Sequence, residues 1–543
     1  MKRAVRVTIA IVLAIATLGA QRRPDRDPIL LLVSFDGWRW DYLDRLPAPN
    51  LKALAARGVR AKELVPSFPT FTFPNHYTIV TGLYPGHHGI VHNTIDELTY
   101  PLRFTMSAPT AKEGRWWGGE PVWVTAERQG RRAAPIFWPG SEAPIGGVRP
   151  TAWLPFDDKV TAAERVQRTL DLLALPEGRR PSLLTAYFSD VDHAGHESGP
   201  ESAELVTAAS RLDEAIGQLV EGVRHLGLDD RTTFVVVSDH GMTRTPVDRF
   251  IFLDDYVDMD SIDFADMGAF LQLRPYPALL ETVYRQLRGR HPHLAIYKRE
   301  ELPARFHYRD NPRIQPIIGV LDEGWTVTTR AREAEREPDA SPRSGAHGYD
   351  PQLQSMHGLF VAAGTRVRRG VVAAPFENIH IYDFLCAVLK LTPAKNDGDP
   401  GVTRSFLTGG EGAGRPGGVL PVLPFLSPLS PNWIQREGRD RMAVDRGPAE
   451  HERKELAGRP QLREIRKMRT LRRFRLARRV HRARAIPVLC VEHGAHRAVV
   501  ISRPPERPDV EALPCRGGDR RGMREQRIVT CVGGWRRGVL AFH

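Results

Sequence analysis

Three near-continuous apolar runs, each ending in a carboxylate, constrain the fold of this chain more than any other feature. Ile29–Phe35 runs into Asp36, Ser182–Ser189 runs into Asp190-Val191-Asp192, and Thr232–Ser238 runs into Asp239-His240. A strand with one face in water alternates apolar and polar residues, whereas an unbroken apolar and β-branched run is buried on both faces. Helical spacing lies between the runs, over Ala48–Ala56, Asn75–Thr81 and Ala203–Leu226. Strands alternating with helices predict an α/β fold: a central, mostly parallel sheet flanked by helices. Ligands of such sheets collect beyond the carboxyl ends of the strands, where these Asp and His residues fall. Periodicity weakens between His240 and His347, which predicts an inserted smaller lobe over about 245–345, beside the mouth of the site. Apolar residues return at Leu359–Ala363, and Ile379–Leu391 has the pattern of a final amphipathic helix.

The bulk numbers sort the chain into unlike parts. It has 543 residues, 41% hydrophobic and 26% charged, the composition of a globular protein. Its net charge of +13 comes from residues 406–543, which carry 29 Arg and Lys against 14 Asp and Glu. The basicity therefore says nothing about partners of the preceding region. In the tail, Gly409–Gly418 is glycine-rich, Pro421–Pro431 is proline-rich and Arg463–Arg484 is crowded with arginine. Lys454 and Lys467 are its only lysines, a bias expected of a disordered segment or of a shifted reading frame in GC-rich DNA. The competing reading is a basic helix around Leu462–Val480 with weak affinity for anionic surfaces. Phe474 is the one aromatic residue in that stretch, so no specific nucleic-acid partner is expected.

At the other end, a basic start, an apolar run over Val7–Leu18 and Gly19-Ala20-Gln21 predict a secretory signal peptide at residues 1–20. The run is short for a membrane span, leaving an uncleaved anchor as the alternative. Either version puts the mature protein outside the cytoplasm, in the periplasm or secreted. Of the four cysteines only Cys386 precedes the tail, so this is no disulfide scaffold.

The candidate chemistry centres on Phe71-Thr72-Phe73-Pro74-Asn75-His76, a hydroxyl between two aromatics just before a proline that is expected to start a helix. Taken alone, Thr72 reads as the cap of that helix, Asp36-Gly37 as a turn, and Asp192-x-x-x-His196 as a helix start with a surface histidine. Asp239-His240 before Gly241 says more, since adjacent buried Asp and His are costly without a metal. Together Asp36, Asp192, His196, Asp239, His240 and His347 make six ligand candidates, with His357 a substitute for His347. Six ligands suit two sites of three, each left open for nucleophile, substrate or water. Two divalent ions about 4 Å apart neutralise a phosphoryl group and activate a hydroxyl, which makes Thr72 the candidate nucleophile.

In these blocks the chain resembles the nucleotide pyrophosphatase/phosphodiesterases of the alkaline phosphatase superfamily. The resemblance covers about residues 28–405 and includes Pro69–His76, Thr81–Pro85, His88–Ile90, Trp116–Pro121, Phe137–Ser141, Asp192–His196, Ser238–Met242 and His347–Asp350. It implies an alkaline-phosphatase-like fold and a zinc pair, with other divalent ions left open. One ion would be held by Asp192, His196 and His347, the other by Asp36, Asp239 and His240. It further implies Thr72 as nucleophile, Asn93 as donor to a phosphoryl oxygen, and Phe73 and Tyr187 as an aromatic clasp on the substrate. The implied substrate is a small phosphodiester or pyrophosphate of the nucleotide type, cleaved through a phospho-threonine. Thr365 departs from the family's usual proline, and the tail has no counterpart.

Three rivals are weighed against this reading. A phosphomonoesterase needs extra positive charge at the phosphate, and Thr72–Thr81 offers Asn75 and His76 but no Arg. A sulfatase needs a Cys or Ser in a Cys/Ser-x-Pro-x-Arg setting, which is not the setting of Thr72. A non-catalytic binding protein on the same fold is opposed by the presence of the nucleophile and all six ligand candidates.

Overall fold

The computed structural model describes residues 27–335 and 344–409, together with the backbone of two short paired strands, Trp535–Arg536 and Val539–Leu540. The expected signal peptide and the expected character of the arginine-rich tail lie outside the described residues. No helix among the described residues is long and apolar enough to cross a membrane.

Seven strands form the central sheet: β1 (Ile29–Phe35), β2 (Val59–Ala61), β3 (Ala133–Ile136), β4 (Leu183–Phe188), β5 (Thr232–Val237), β6 (Phe360–Gly364) and β7 (Val371–Ala373). Their spatial order is β7-β2-β6-β5-β1-β4-β3. The three apolar runs of the sequence are the adjacent central strands β5, β1 and β4, all parallel. Only β6 runs against its neighbours, β5 and β2, so the sheet is mostly parallel.

Both faces are covered, which is why the runs are apolar throughout. Alternate residues of β1 enter different cores. Leu30 and Leu32 pack with α2 (Thr72–Thr81) and α6 (Ile381–Leu389), while Ile29, Leu31, Val33 and Phe35 pack with α1 (Pro49–Ala56), α3 (Ala162–Leu173) and α5 (Ala203–His225). The long α5 buries Leu205, Ala209, Leu212, Ile216, Leu219 and Val223 along one stripe, and the Ser202 hydroxyl accepts the Leu205 N–H at its start.

That stripe also contains a buried charge, Asp213. Its carboxylate accepts the backbone N–H groups of Asn50 (3.1 Å) and Leu51 (2.8 Å), capping α1, whose own N-cap residue Ala48 has no side chain for the task.

The inserted region builds a separate four-stranded antiparallel sheet from Ile262–Asp266, Phe270–Pro275, Leu294–Lys298 and Ile317–Leu321, with its own apolar core. It braces the loops of the site. Gln272 Nε2 donates to Thr94 O (3.4 Å), and Tyr349 donates its hydroxyl to Trp325 O (2.9 Å).

Candidate functional site

Pairing register brings the strand ends level. Phe35 lies across from Phe188 and Ser34 across from Val237, so Asp36, Asp239 and the start of α4 (Asp190–Ser198) leave the sheet along one edge. Asp192 and His196 stand one turn apart on α4 (i, i+4). The turn after β1 passes directly under Asp192. Gly37 adopts φ +69°, and a Cβ there would lie 2.9 Å from the Asp192 Cα, so only glycine fits. His347 arrives on the loop that follows the inserted lobe.

All six ligand candidates converge. His196 Nε2 lies 3.1 Å from His347 Nε2 and 3.5 Å from Asp192 Oδ1, and His347 Nε2 lies 3.6 Å from the same oxygen. His240 Nε2 lies 3.5 Å from Asp36 Oδ1 and 3.0 Å from Asp239 Oδ2. The His240 and His347 rings stack at 3.6 Å between centroids, joining the two groups.

The donor set fits divalent metal on two observations. First, His196, His240 and His347 each donate Nδ1–H to a backbone carbonyl, of Gly345, Gly241 and Thr70, so each turns an Nε2 lone pair inward. Second, Asp36 Oδ1, Asp192 Oδ1 and Asp239 Oδ2 are buried acceptors with no hydrogen-bond partner. Converging lone pairs without donors repel, and a cation between them removes the conflict.

Electrostatics agree. Burial, with the Asp239 and Asp192 charges beside it, raises the Asp36 pKa well above the usual carboxylate range. Burial together with the neighbouring His240 and His196 pushes His347 well below its ordinary value and keeps it a neutral ligand. Burial opposes the charge on Asp239 too, but the adjacent His240 and His76 hold its pKa well below normal.

Two further histidines enter the comparison. Asp36, His76 and Asp239 lie close enough to form a ligand trio, as do Asp192, His240 and His347. Both nitrogens of His76 are committed, however, one to Thr72 O (2.9 Å) and the other to Ser34 Oγ (2.7 Å). His357, the possible substitute for His347, bonds Glu63 Oε2 (2.5 Å) and Pro351 O (2.8 Å) instead.

Thr72 is the first residue of α2 rather than its cap. The cap position belongs to Phe71, in extended backbone (φ −110°, ψ 158°), and the helix begins three residues before the expected Asn75. Pro74 is accommodated inside the first turn because the N–H groups there have no intrahelical partner to lose. The Thr72 hydroxyl is thus free of capping duty and sits 3.4 Å from His240 Nε2.

Its flanking aromatics have separate tasks. Phe71 packs edge-on against His92 (4.4 Å) and His347 (5.6 Å), and half-buried Phe73 rests on Phe104 and Trp117. The Asn93 carbonyl oxygen accepts the Phe73 N–H (2.9 Å), which leaves the side-chain amide hydrogens of Asn93 for another acceptor.

Several supports were not visible as such in the sequence. Thr70 ties the loop before Thr72 to the His347 loop, donating to Tyr349 O and accepting the Gly348 N–H, both at 2.9 Å. Asn75 is fully buried and folds the preceding loop, accepting from Ser67 N (2.8 Å) and donating to Pro69 O and Phe71 O. Asn75 and His76 therefore face scaffold, not an open phosphate pocket. Tyr187 donates its hydroxyl to Asp36 Oδ2 at 2.5 Å, and its ring meets Phe156, which is 46% exposed. Nothing in the spacing pointed to Phe156.

Residues 30–350 match the family model described as type I phosphodiesterase / nucleotide pyrophosphatase. A venom phosphodiesterase of Crotalus durissus collilineatus is 36% identical over 412 residues, which are 72% of this chain and 48% of the relative. An uncharacterised pyrophosphatase/phosphodiesterase of Schizosaccharomyces pombe is 39% identical over 384 residues, 68% of this chain and 78% of the relative. Among solved structures, an inactive threonine-to-alanine variant of murine ectonucleotide pyrophosphatase/phosphodiesterase 5 in complex with AMP superposes with TM-score 0.66 at 32% identity, covering 70% of this chain and 100% of that one. The chain spans about half the length of the venom relatives it matches.

Proposed function

Since the chain belongs to the type I phosphodiesterase / nucleotide pyrophosphatase family, we propose that it hydrolyses phosphodiester or pyrophosphate bonds of small nucleotide-type substrates. Two zinc ions and a phospho-threonine intermediate complete the proposal. The observation that carries it is the convergence of three unpartnered carboxylate oxygens and three inward Nε2 lone pairs beside the Thr72 hydroxyl.

Asp192, His196 and His347 would hold one ion and Asp36, Asp239 and His240 the other, a partition supported by the interatomic distances within each group. Imidazole nitrogen with carboxylate oxygen is a donor set that suits zinc. Ions held there would supply Lewis acidity, drawing charge from the phosphoryl oxygens and acidifying the nucleophile's hydroxyl.

The chain's own groups do the rest. Thr72 Oγ1 is presented by the first turn of α2 and forms the new bond to phosphorus as the ester bond opposite breaks. The Thr72 proton passes through solvent to the departing oxygen, which leaves as an alcohol from a phosphodiester or as a phosphate from a pyrophosphate. Asn93, its carbonyl fixed on Phe73 N–H, aims its amide hydrogens at a phosphoryl oxygen. Water then cleaves the phospho-threonine, returning the hydroxyl and releasing a phosphomonoester. Half-buried Phe73 and the Tyr187 ring are proposed to clasp the substrate's planar group, with Phe156 extending the Tyr187 side. With no arginine on α2, a singly charged diester is favoured over a monoester.

The proposed location is outside the cytoplasm, which the N-terminal residues and the venom and ectonucleotide names of the relatives support.

The test is hydrolysis of the nitrophenyl ester of thymidine monophosphate against nitrophenyl phosphate, with and without zinc, by a chain ending near residue 409. Zinc-dependent preference for the diester, lost in Thr72→Ala while metal content persists, is the expected result. Preference for the monoester refutes the phosphate-pocket reading, and inactivity on both substrates refutes the enzyme.

A further inference from the structure

His76 is a buried group at the centre that neither the six-ligand arrangement nor the phosphoryl chemistry uses. It is completely buried between Trp138 and Tyr187, whose rings meet its own edge-on at 5.1 Å, so the imidazole cannot swing. Trp138 Nε1 further donates to the His76 carbonyl (3.2 Å), fixing the backbone on the same side.

Around the ring, Nδ1 lies 2.9 Å from Thr72 O and 3.2 Å from Asp239 Oδ2, and Nε2 lies 2.7 Å from Ser34 Oγ. A carbonyl and a carboxylate can only accept, so Nδ1 must carry the hydrogen. Ser34, as a hydroxyl, can then donate to the Nε2 lone pair. The reverse tautomer would set a bare Nδ1 against two acceptors in a buried site, a costly arrangement. The Nδ1–H points along the bond to Thr72 O. Asp239 Oδ2 touches the same nitrogen off that axis, which is why this oxygen has no hydrogen-bond partner and stays open toward a metal.

We infer that His76 is a positioning residue: its Nδ1–H, required by the acceptors it faces and matched by Ser34 at Nε2, holds the backbone carbonyl of Thr72, the proposed nucleophile, and thereby aims the Thr72 hydroxyl relative to Asp239. The carbonyl of the first helical residue fixes the peptide plane beside it, and that plane sets where the Thr72 Cα–Cβ bond points. A nucleophile misplaced by a fraction of an ångström loses rate and not substrate affinity. The inference rests on the proposed role of Thr72, and it treats His76 as a support and not as a metal ligand, the other role its proximity to Asp36 and Asp239 permits.

Three readouts on the full chain test it. In metal-free protein labelled with 15N-histidine, His76 should carry its hydrogen on Nδ1 with Nε2 unprotonated; a hydrogen on Nε2 overturns the inference whatever the activity. In His76→Gln, kcat on the nitrophenyl ester of thymidine monophosphate should fall about tenfold to a hundredfold with KM and zinc content unchanged. His76→Asn, whose amide N–H can take the Nδ1 place, should recover part of that loss. Loss of a zinc ion in both variants would make His76 a ligand, and equal kcat in Asn, Gln and wild type would make it packing alone. Should both variants fail to fold, Ser34→Ala provides the second route. It removes the Nε2 partner that steadies the ring and should lower kcat with metal retained, and an unchanged kcat there refutes positioning through a fixed imidazole. A wild-type protein with no diesterase activity would refute the proposed function instead, leaving the tautomer measurement to judge His76.

Discussion

Replacing Tyr187 by phenylalanine separates two roles that one side chain combines. The resemblance to known phosphodiesterases implies that the ring clasps substrate, whereas the geometry ties the hydroxyl to Asp36 Oδ2 at 2.5 Å. Tyr187→Phe keeps the ring and its contacts with His76 and Phe156 and removes only the donor. A hydrogen bond to a charged group contributes about 1.5–3 kcal/mol. If the bond orients Asp36 for metal, its loss lowers zinc affinity by roughly 10- to 150-fold, close to the 10- to 100-fold range typical of groups that hold metal ligands. The pH dependence has a definite sign. Burial and the Asp239 and Asp192 charges raise the Asp36 pKa, and the Tyr187 bond opposes them. Without that bond the carboxyl keeps its proton to higher pH, so protons compete better with zinc and the deficit widens as pH falls. Zinc affinity is read by competition with a chromophoric chelator on metal-free protein, alongside KM for the nitrophenyl ester of thymidine monophosphate. The expected outcome is weakened zinc binding with KM unchanged at saturating zinc. Zinc affinity equal to that of the wild type, at neutral and at acidic pH, would refute the reasoning.

Thr70→Val keeps the shape but leaves Tyr349 C=O and Gly348 N–H buried without partners, at about 1–3 kcal/mol each. It should reduce stability in a denaturant titration and weaken zinc binding together. Zinc binding should release protons on the acid side of neutrality, from Asp36 and His240, whose pKa values are raised, and not from His347, whose value is lowered. Calorimetry in buffers of different ionisation enthalpy reads this directly, and the release should shrink in Asp36→Asn. Asp213→Ala, midway along α5, uncaps α1 and should cost about 1–3 kcal/mol for the buried Leu51 amide left unpaired, with kcat unchanged below the unfolding transition.

The convergence of the ligand candidates was legible because strand ends are. An apolar run that stops at a carboxylate marks both the sheet and the edge where side chains leave it, and β1, β4 and β5 delivered Asp36, Asp192 and Asp239 to one edge. The direction of β6 was not legible, since a short apolar run reads the same whichever way it is threaded. The depth of Asn75 and His76 was not legible for a different reason. With the helix placed from Asn75 onward, they looked like polar residues at a helix start, free to meet phosphate. With the helix starting at Thr72, they fall at i+3 and i+4 and lie on the same face as Thr72, one turn deeper. That register was the available signal, and Pro74 obscured it by suggesting a later start.

What orients the ligands was hidden more deeply, because backbone atoms carry it. His196, His240 and His347 are each fixed by a carbonyl, of Gly345, Gly241 and Thr70, and every residue type supplies a carbonyl. Such a contact leaves no mark at the partner's own position. It leaves one nearby, where the loop that presents the carbonyl must hold an unusual course. Gly348 does so at φ +113°, pressed so close to Phe71 that a Cβ would lie 2.5 Å from the ring. Phe71 in turn bears on His347, so a side chain at position 348 would reach that candidate ligand through the ring without touching it. The sequence therefore displays the groups proposed to meet metal and substrate, and conceals their aim in loop conformations that only a few residues, Gly37, Thr70 and Gly348 among them, make possible.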